Sequence, residues 1–160
     1  MIEKSVDIFE EIKNHNYFDK QIFLLIPTNG VVKNNGDLVM GAGLAKTFVE
    51  KFSYLDLPGI LGKHIINKGN QPCLIKTKNP FIDLISFPTK NNWKNCSKLS
   101  IIENSMKCLT NIINDFDKDY IIITSKLGCG LGGLNWLSVK KILEQFEISN
   151  NMIVCNKQEI

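Results

Sequence analysis

Two stretches of the chain are apolar at nearly every position: Gln21-Ile22-Phe23-Leu24-Leu25-Ile26-Pro27 and Tyr120-Ile121-Ile122-Ile123-Thr124. A strand with one wet face alternates apolar and polar residues, so an unbroken run reads as a strand covered on both faces. The first run ends at the turn signal Thr28-Asn29-Gly30, and Lys33-Asn34-Asn35-Gly36-Asp37 then reads as a hairpin-like loop. Beyond it, Leu44, Ala45, Phe48, Val49 and Phe52 recur at helical spacing. The second run leads through a glycine-rich loop to Trp136, Val139, Leu143 and Phe146, again at helical spacing, with Asn135 placed to cap that helix. Strand, loop and helix in alternation indicate an α/β domain with a largely parallel sheet sandwiched by helices.

The remaining segments fit that scheme. Ile2 to Phe9 reads as a short edge strand or strand entry, followed by a polar connection at Asn14-His15-Asn16. Pro58 to Asn70 reads as irregular or weakly helical. Cys73 to Lys76 and Phe81 to Phe87 read as two strands around a turn at Lys78-Asn79-Pro80. Lys98 to Phe116 carries Leu99, Ile102, Met106, Leu109, Ile113 and Phe116 on one face of a helix, with Asn95 or Ser97 as its cap. Met152 to Cys155 closes the chain as a last strand. Without a break in composition, residues 1–160 are expected to form one domain.

Composition excludes several classes. No apolar run is long enough to span a bilayer, and Glu3, Lys4 and Asp7 interrupt any signal-like core, so an intracellular protein is expected. Five cysteines, at 73, 96, 108, 129 and 155, lack C-x-x-C spacing and indicate neither a disulfide framework nor a zinc site. A net charge of +3 favours a phosphate ligand slightly and is too small to define a nucleic-acid binder.

The chemistry concentrates in two glycine loops. Leu127-Gly128-Cys129-Gly130-Leu131-Gly132-Gly133-Leu134 places four glycines in six positions, which lets backbone N–H groups approach an anion, with the positive end of the following helix expected behind them. Gly128, Gly130 and Gly133 formally spell G-x-G-x-x-G, but a dinucleotide fold needs further βαβ units and an acidic residue at the end of the next strand, whereas one helix and one short strand are expected after this loop. Met40-Gly41-Ala42-Gly43-Leu44-Ala45-Lys46-Thr47 is the second loop. It departs from a P-loop, because Ala45 stands where the glycine before the lysine belongs. Ligands of open α/β sheets sit outside the carboxyl ends of the strands, where both loops are expected to converge. His15 and His64 are isolated, no nucleophilic triad is evident, and Cys129 suits packing in a tight turn. Lys90 follows a strand end, on the side of the glycine loops if that strand runs parallel to theirs.

Taken together, Asn29, M-G-A-G-L-A (40 to 45), F-P-T-K-N-N-W (87 to 93) and L-G-C-G-L-G-G-L-N-W (127 to 136) resemble the macrodomain family, which binds ADP-ribose. The nearest subgroup contains the DNA ADP-ribosyl glycohydrolase antitoxins and the human terminal ADP-ribose glycohydrolase. The correspondence runs from about Val6 to Val154. It implies a three-layer α/β/α fold with a mixed, largely parallel sheet and ADP-ribose lying across the strand ends.

Residue by residue, the resemblance implies that Asp7 and Ile8 meet the adenine. Thr28 and Asn29 would lie near the distal ribose, although Val31 to Leu38 are inserted before the glycine loop. Met40, Gly41, Ala42, Gly43, Leu44 and Ala45 would hold one phosphate and that ribose. Gly128, Cys129, Gly130, Leu131, Gly132, Gly133 and Leu134 would close over the diphosphate, with Thr89 beside Lys90. Lys90 falls on the lysine tied to cleavage at the distal ribose, as nucleophile or as stabiliser of the open sugar and leaving group. Gly132 stands where the human-type enzyme has an acidic residue, which makes the DNA-directed branch the nearer model.

The resemblance therefore implies an ADP-ribosyl hydrolase. Its substrate would be ADP-ribosylated DNA, as for an antitoxin-like or phage counter-defence factor, an ADP-ribosylated protein, or ADP-ribose 1''-phosphate. The rival is a non-catalytic reader of ADP-ribose or a related nucleotide signal. Neither a cofactor nor a metal is implied, and a cytoplasmic monomer without membrane association is expected. At this length the chain is expected to lack the second domain that toxin-neutralising members often carry, which weakens the idea of a toxin partner.

Overall fold

The computed structural model describes residues 1–14 and 19–157, so the His15-Asn16 part of the polar connection lies outside the described residues. The strands are β1 (Ile2–Lys4), β2 (Gln21–Thr28), β3 (Leu74–Lys76), β4 (Ile82–Pro88), β5 (Tyr120–Thr124) and β6 (Met152–Cys155). The helices are α1 (Ile8–Asn14), α2 (Gly43–Lys51), α3 (Leu57–Lys68), α4 (Leu99–Asn114) and α5 (Trp136–Leu143), with a 3-10 turn at Glu147–Asn151.

The strands form one six-stranded sheet in the order β1-β6-β5-β2-β4-β3. Every pairing is parallel except that of β3 with β4, which is antiparallel and carries the cross-strand ion pair of Lys76 with the buried Asp83 at 2.8 Å. Alternate residues of β2 show why its apolar run is unbroken. Ile22, Leu24 and Ile26 face a core built with α1, α2 and α3, whereas Phe23 and Leu25 face a second core built with α4 and α5. Each face of the sheet is thus covered by its own helices.

Four local expectations are corrected. The first strand ends at Lys4, because Asp7 Oδ1 accepts the Phe9 N–H at 2.8 Å and starts α1, taking Ile8 and Phe9 into a helix. Pro58 to Asn70 is mostly a regular helix: Asp56 Oδ1 accepts the Gly59 N–H, and Pro58 occupies the first turn, where it is tolerated. Neither Asn95 nor Ser97 caps α4; its N-cap is Lys98, with no side-chain bond. The last helix stops at Leu143, leaving Phe146 beyond its end.

Candidate functional site

The carboxyl ends of the parallel strands open into a cleft of about 890 Å³, within the roughly 300–1,000 Å³ usual for small-molecule sites. Its floor includes Thr28 and Asn29 at the end of β2, Thr89 and Lys90 after β4, Ser125 and Lys126 after β5, and Asn156 after β6. Its walls are the two glycine loops, Met40 to Ala45 and Gly128 to Gly132. Because β4 runs parallel to β2, Lys90 does stand on the side of those loops.

Asn29 builds one edge of the floor. Its Nδ2 donates to the Val39 carbonyl at 2.8 Å and its Oδ1 accepts the Val31 N–H at 2.8 Å, so one side chain clamps both ends of the inserted hairpin. That insert is closed by an antiparallel bridge between Val32 and Leu38 and returns the chain to Met40. From there α2 starts at Gly43, its N-cap is Ala42, and no side chain caps its free N–H groups. Unsatisfied N–H groups and the positive helix end therefore face the cleft through α2. The sequence suggested that the helix after the second glycine loop would supply this dipole; α5 instead has its first turn capped by the Asn135 side chain and does not line the cleft.

The second glycine loop is tied to the segment after Lys90. The Ser97 N–H donates to the Gly132 carbonyl at 2.9 Å, Ser97 Oγ donates to Thr89 Oγ1 at 3.2 Å, and the Lys98 N–H donates to the Thr89 carbonyl at 3.1 Å. A Cβ at Gly132 would lie 2.2 Å from Ser97 Oγ and 2.5 Å from the Gly128 carbonyl oxygen. No side chain fits there, acidic or otherwise. At Gly41 and Gly130 a Cβ would meet nothing within 4 Å, so these glycines border open cleft.

Among the described residues the lining contains two cations, Lys90 and Lys126, and no Asp or Glu. With bare N–H groups beside them, this is an environment for an anion. Burial pushes the Cys129 thiol above its ordinary value, and Lys126 offsets that only in part, which disfavours the reactive thiolate.

The expected site residues from Thr28 and Asn29 through Met40 to Ala45, Thr89, Lys90 and Gly128 to Gly132 are brought together. Asp7, Ile8, Gly133 and Leu134 are not in the lining, and Asp7 Oδ1 is occupied at the start of α1. Trp93, Ser97, Lys126 and Asn156 line the cleft without having been singled out. Trp93 ends one quoted motif and Lys126 immediately precedes another; Ser97 was expected only as a possible helix cap, and Asn156 carries no signal beyond following a strand.

The fold is that of the macrodomains. The Mycobacterium tuberculosis DarG macrodomain superposes with a TM-score of 0.70 at 20% identity, covering 98% of this chain and 97% of that one. Thermosipho africanus DarTG, solved in complex with ADP-ribose, matches with a TM-score of 0.66 at 24% identity over 86% of this chain and 39% of that one. In sequence, a DNA ADP-ribosyl transferase-DNA ADP-ribosyl glycohydrolase fusion protein of Thermosipho africanus is 39% identical over 59 residues. That stretch is 36% of this chain and 14% of the fusion protein. No protein-family model matches the sequence.

Proposed function

We propose that the chain binds ADP-ribose across the strand ends and hydrolyses an ADP-ribosyl linkage at the distal ribose, with ADP-ribosylated DNA the favoured substrate. The observation that carries this reading is the composition of the cleft: two lysines, two glycine loops and an uncapped helix start, with no carboxylate. The diphosphate lies between the Gly41 to Ala45 and Gly128 to Gly132 loops, where N–H groups and the α2 dipole offset its charge. The distal ribose lies by Asn29 and Lys90. The anomeric bond breaks, the leaving atom takes up a proton, and water adds to the anomeric carbon. Lys90 contributes by attacking that carbon or by stabilising the opened sugar and leaving group. The likeness to DarG macrodomains and to a DNA ADP-ribosyl glycohydrolase fusion supports DNA as substrate. A monomer acting without cofactor is part of the same reading.

The missing carboxylate also favours a second reading, a reader that binds ADP-ribose without turnover. One panel separates them: wild type and Lys90→Ala incubated with ADP-ribosylated DNA, ADP-ribosylated protein and ADP-ribose 1''-phosphate, with release followed by mass. The expected result is release from modified DNA, reduced at least roughly 100-fold in Lys90→Ala, within the range for a removed acid–base group. Unchanged release in Lys90→Ala removes the role of Lys90. Binding of ADP-ribose without any release establishes the reader.

A further inference from the structure

The strand order gives the cleft a direction. Along the carboxyl ends, Asn156 follows β6, Lys126 follows β5, Asn29 follows β2 and Lys90 follows β4. Among the described residues, the strand beyond β4 is the antiparallel β3, which contributes nothing to the lining. The inference here rests on the reading just proposed, with the distal ribose at Lys90. Whatever that ribose carries then leaves over the segment that follows Lys90.

That segment has an unusual make-up. Between Asp83 and Glu103 the sequence contains no carboxylate, while Lys90, Lys94 and Lys98 supply three cations. Trp93 lines the cleft, belongs to neither hydrophobic core and leaves 50% of its surface exposed. The Lys94 ammonium sits 5.2 Å from the centroid of its ring.

The loop is also held in place. Asn70 Nδ2 donates to the Lys90 carbonyl and to Asn91 Oδ1, each at 3.1 Å, the Gly30 N–H donates to the Asn91 carbonyl at 2.9 Å, and Asn92 Oδ1 accepts the Lys94 N–H at 3.0 Å. A loop bonded this fully presents the backbone that carries Trp93 without first having to be ordered.

We infer that Trp93 and Lys94 form a stacking platform for the unpaired base, in a single-stranded nucleic acid, that carries the ADP-ribose. An aromatic face with cations beside it matches a base and its flanking phosphates: stacking tolerates any base, and the lysines meet the backbone. A base inside a duplex has no free face to offer and would first have to be unstacked.

The test measures binding by the whole chain in a Lys90→Ala background, so that the ligand persists. Three ligands are compared by calorimetry: free ADP-ribose, a short single-stranded oligonucleotide carrying ADP-ribose on one base, and a peptide carrying ADP-ribose. The modified strand is expected to bind about tenfold or more tighter than free ADP-ribose, the scale of one base stacked on an aromatic ring. That gain is lost in Trp93→Ala and largely kept in Trp93→Phe, and in Lys94→Ala it depends less on salt. The gain is read within each variant as the ratio of its affinities for the strand and for free ADP-ribose, because Trp93 also lines the cleft. Equal affinity for strand and free ligand overturns the platform, as does an equal loss of both in Trp93→Ala. A peptide that binds tighter than the strand overturns the nucleic-acid assignment. If the chain with Lys90 intact binds no ADP-ribose at all, the underlying function falls and the platform with it.

Discussion

Gly130 and Gly132 stand two positions apart in one loop and answer to opposite demands. Gly130 has no left-handed φ and open space where a Cβ would be, so its smallness serves only what enters the cleft. Gly132 is enclosed, with Ser97 Oγ and the Gly128 carbonyl already occupying the place of a side chain. Gly130→Val is therefore expected to fold with an unchanged thermal midpoint and to lose more than roughly tenfold in ADP-ribose affinity, about 1.4 kcal/mol. Gly132→Asp is expected to lose about 1–3 kcal/mol of stability, the usual cost of forcing atoms into a filled site, and to gain no activity. Calorimetry and urea denaturation on the two variants check both halves, and the reverse pattern would overturn the assignment. Gly43 is a poorer probe, because its φ of 60° strains any replacement whatever the ligand does. The sequence exposes these glycines as a group and Gly132 as a lost carboxylate. That the loss is spatially enforced was not legible, since the enforcing Ser97 is distant in sequence and does not cap the helix it precedes.

The elements divide in the same way between local and tertiary causes. β2, β5 and α4 were legible because burial on two faces, or on one helical stripe, writes itself into every residue of the run. α3 was obscured by Pro58, Gly59 and Gly62. Gly62 lies so close to the inserted hairpin that a Cβ there would fall 1.9 Å from the Gly36 carbonyl oxygen, so a residue that weakens the helix locally admits a tertiary contact. At the other side of the sheet, the pairing of β6 with β1 sets Cys155 opposite Lys4, near Glu11 of α1. Burial chiefly, then Glu11, pushes the Cys155 thiol from an ordinary value of 9.0 up to about 12, with Lys4 acting against the rise and Asp7 adding to it. The folded state thus keeps a proton that the unfolded chain releases. Stability from this residue is full below about pH 9 and is lost progressively as pH rises toward 12. Urea midpoints measured across that window should fall less steeply for Cys155→Ala than for wild type. Parallel slopes would show that the thiol is not the titrating group.

At the scale of the molecule, the two cores do one thing for the cleft: they fix four parallel strands so that loops distant in sequence end side by side. β2 delivers Asn29, β4 delivers Lys90, β5 delivers Lys126 and β6 delivers Asn156, while the helices cover the faces and leave the carboxyl ends free. Parallel order and the convergence of the glycine loops were readable from alternation alone. Most lining residues, Thr28, Asn29, Met40 to Ala45, Thr89, Lys90 and Gly128 to Gly132, were legible in the motifs; that Trp93, Ser97, Lys126 and Asn156 join them was not, because this depends on the strand order and on how the loops fold back. A ligand seated across those ends should stabilise the whole sheet by mass action, by about 2.7 kcal/mol at a free concentration 100 times its Kd. Local protection should nevertheless be uneven. In hydrogen exchange with saturating ADP-ribose, amides of residues 41–45 and 128–132 should slow beyond the global gain, because the ligand orders and covers those loops. β3 and the 3-10 turn at Glu147–Asn151, both away from the cleft, should gain only the global term. The same experiment on Gly130→Val should show neither the loop protection nor the global gain at that concentration. Uniform slowing across the sheet, or protection centred on β3, would place the ligand elsewhere and separate the glycine loops from binding.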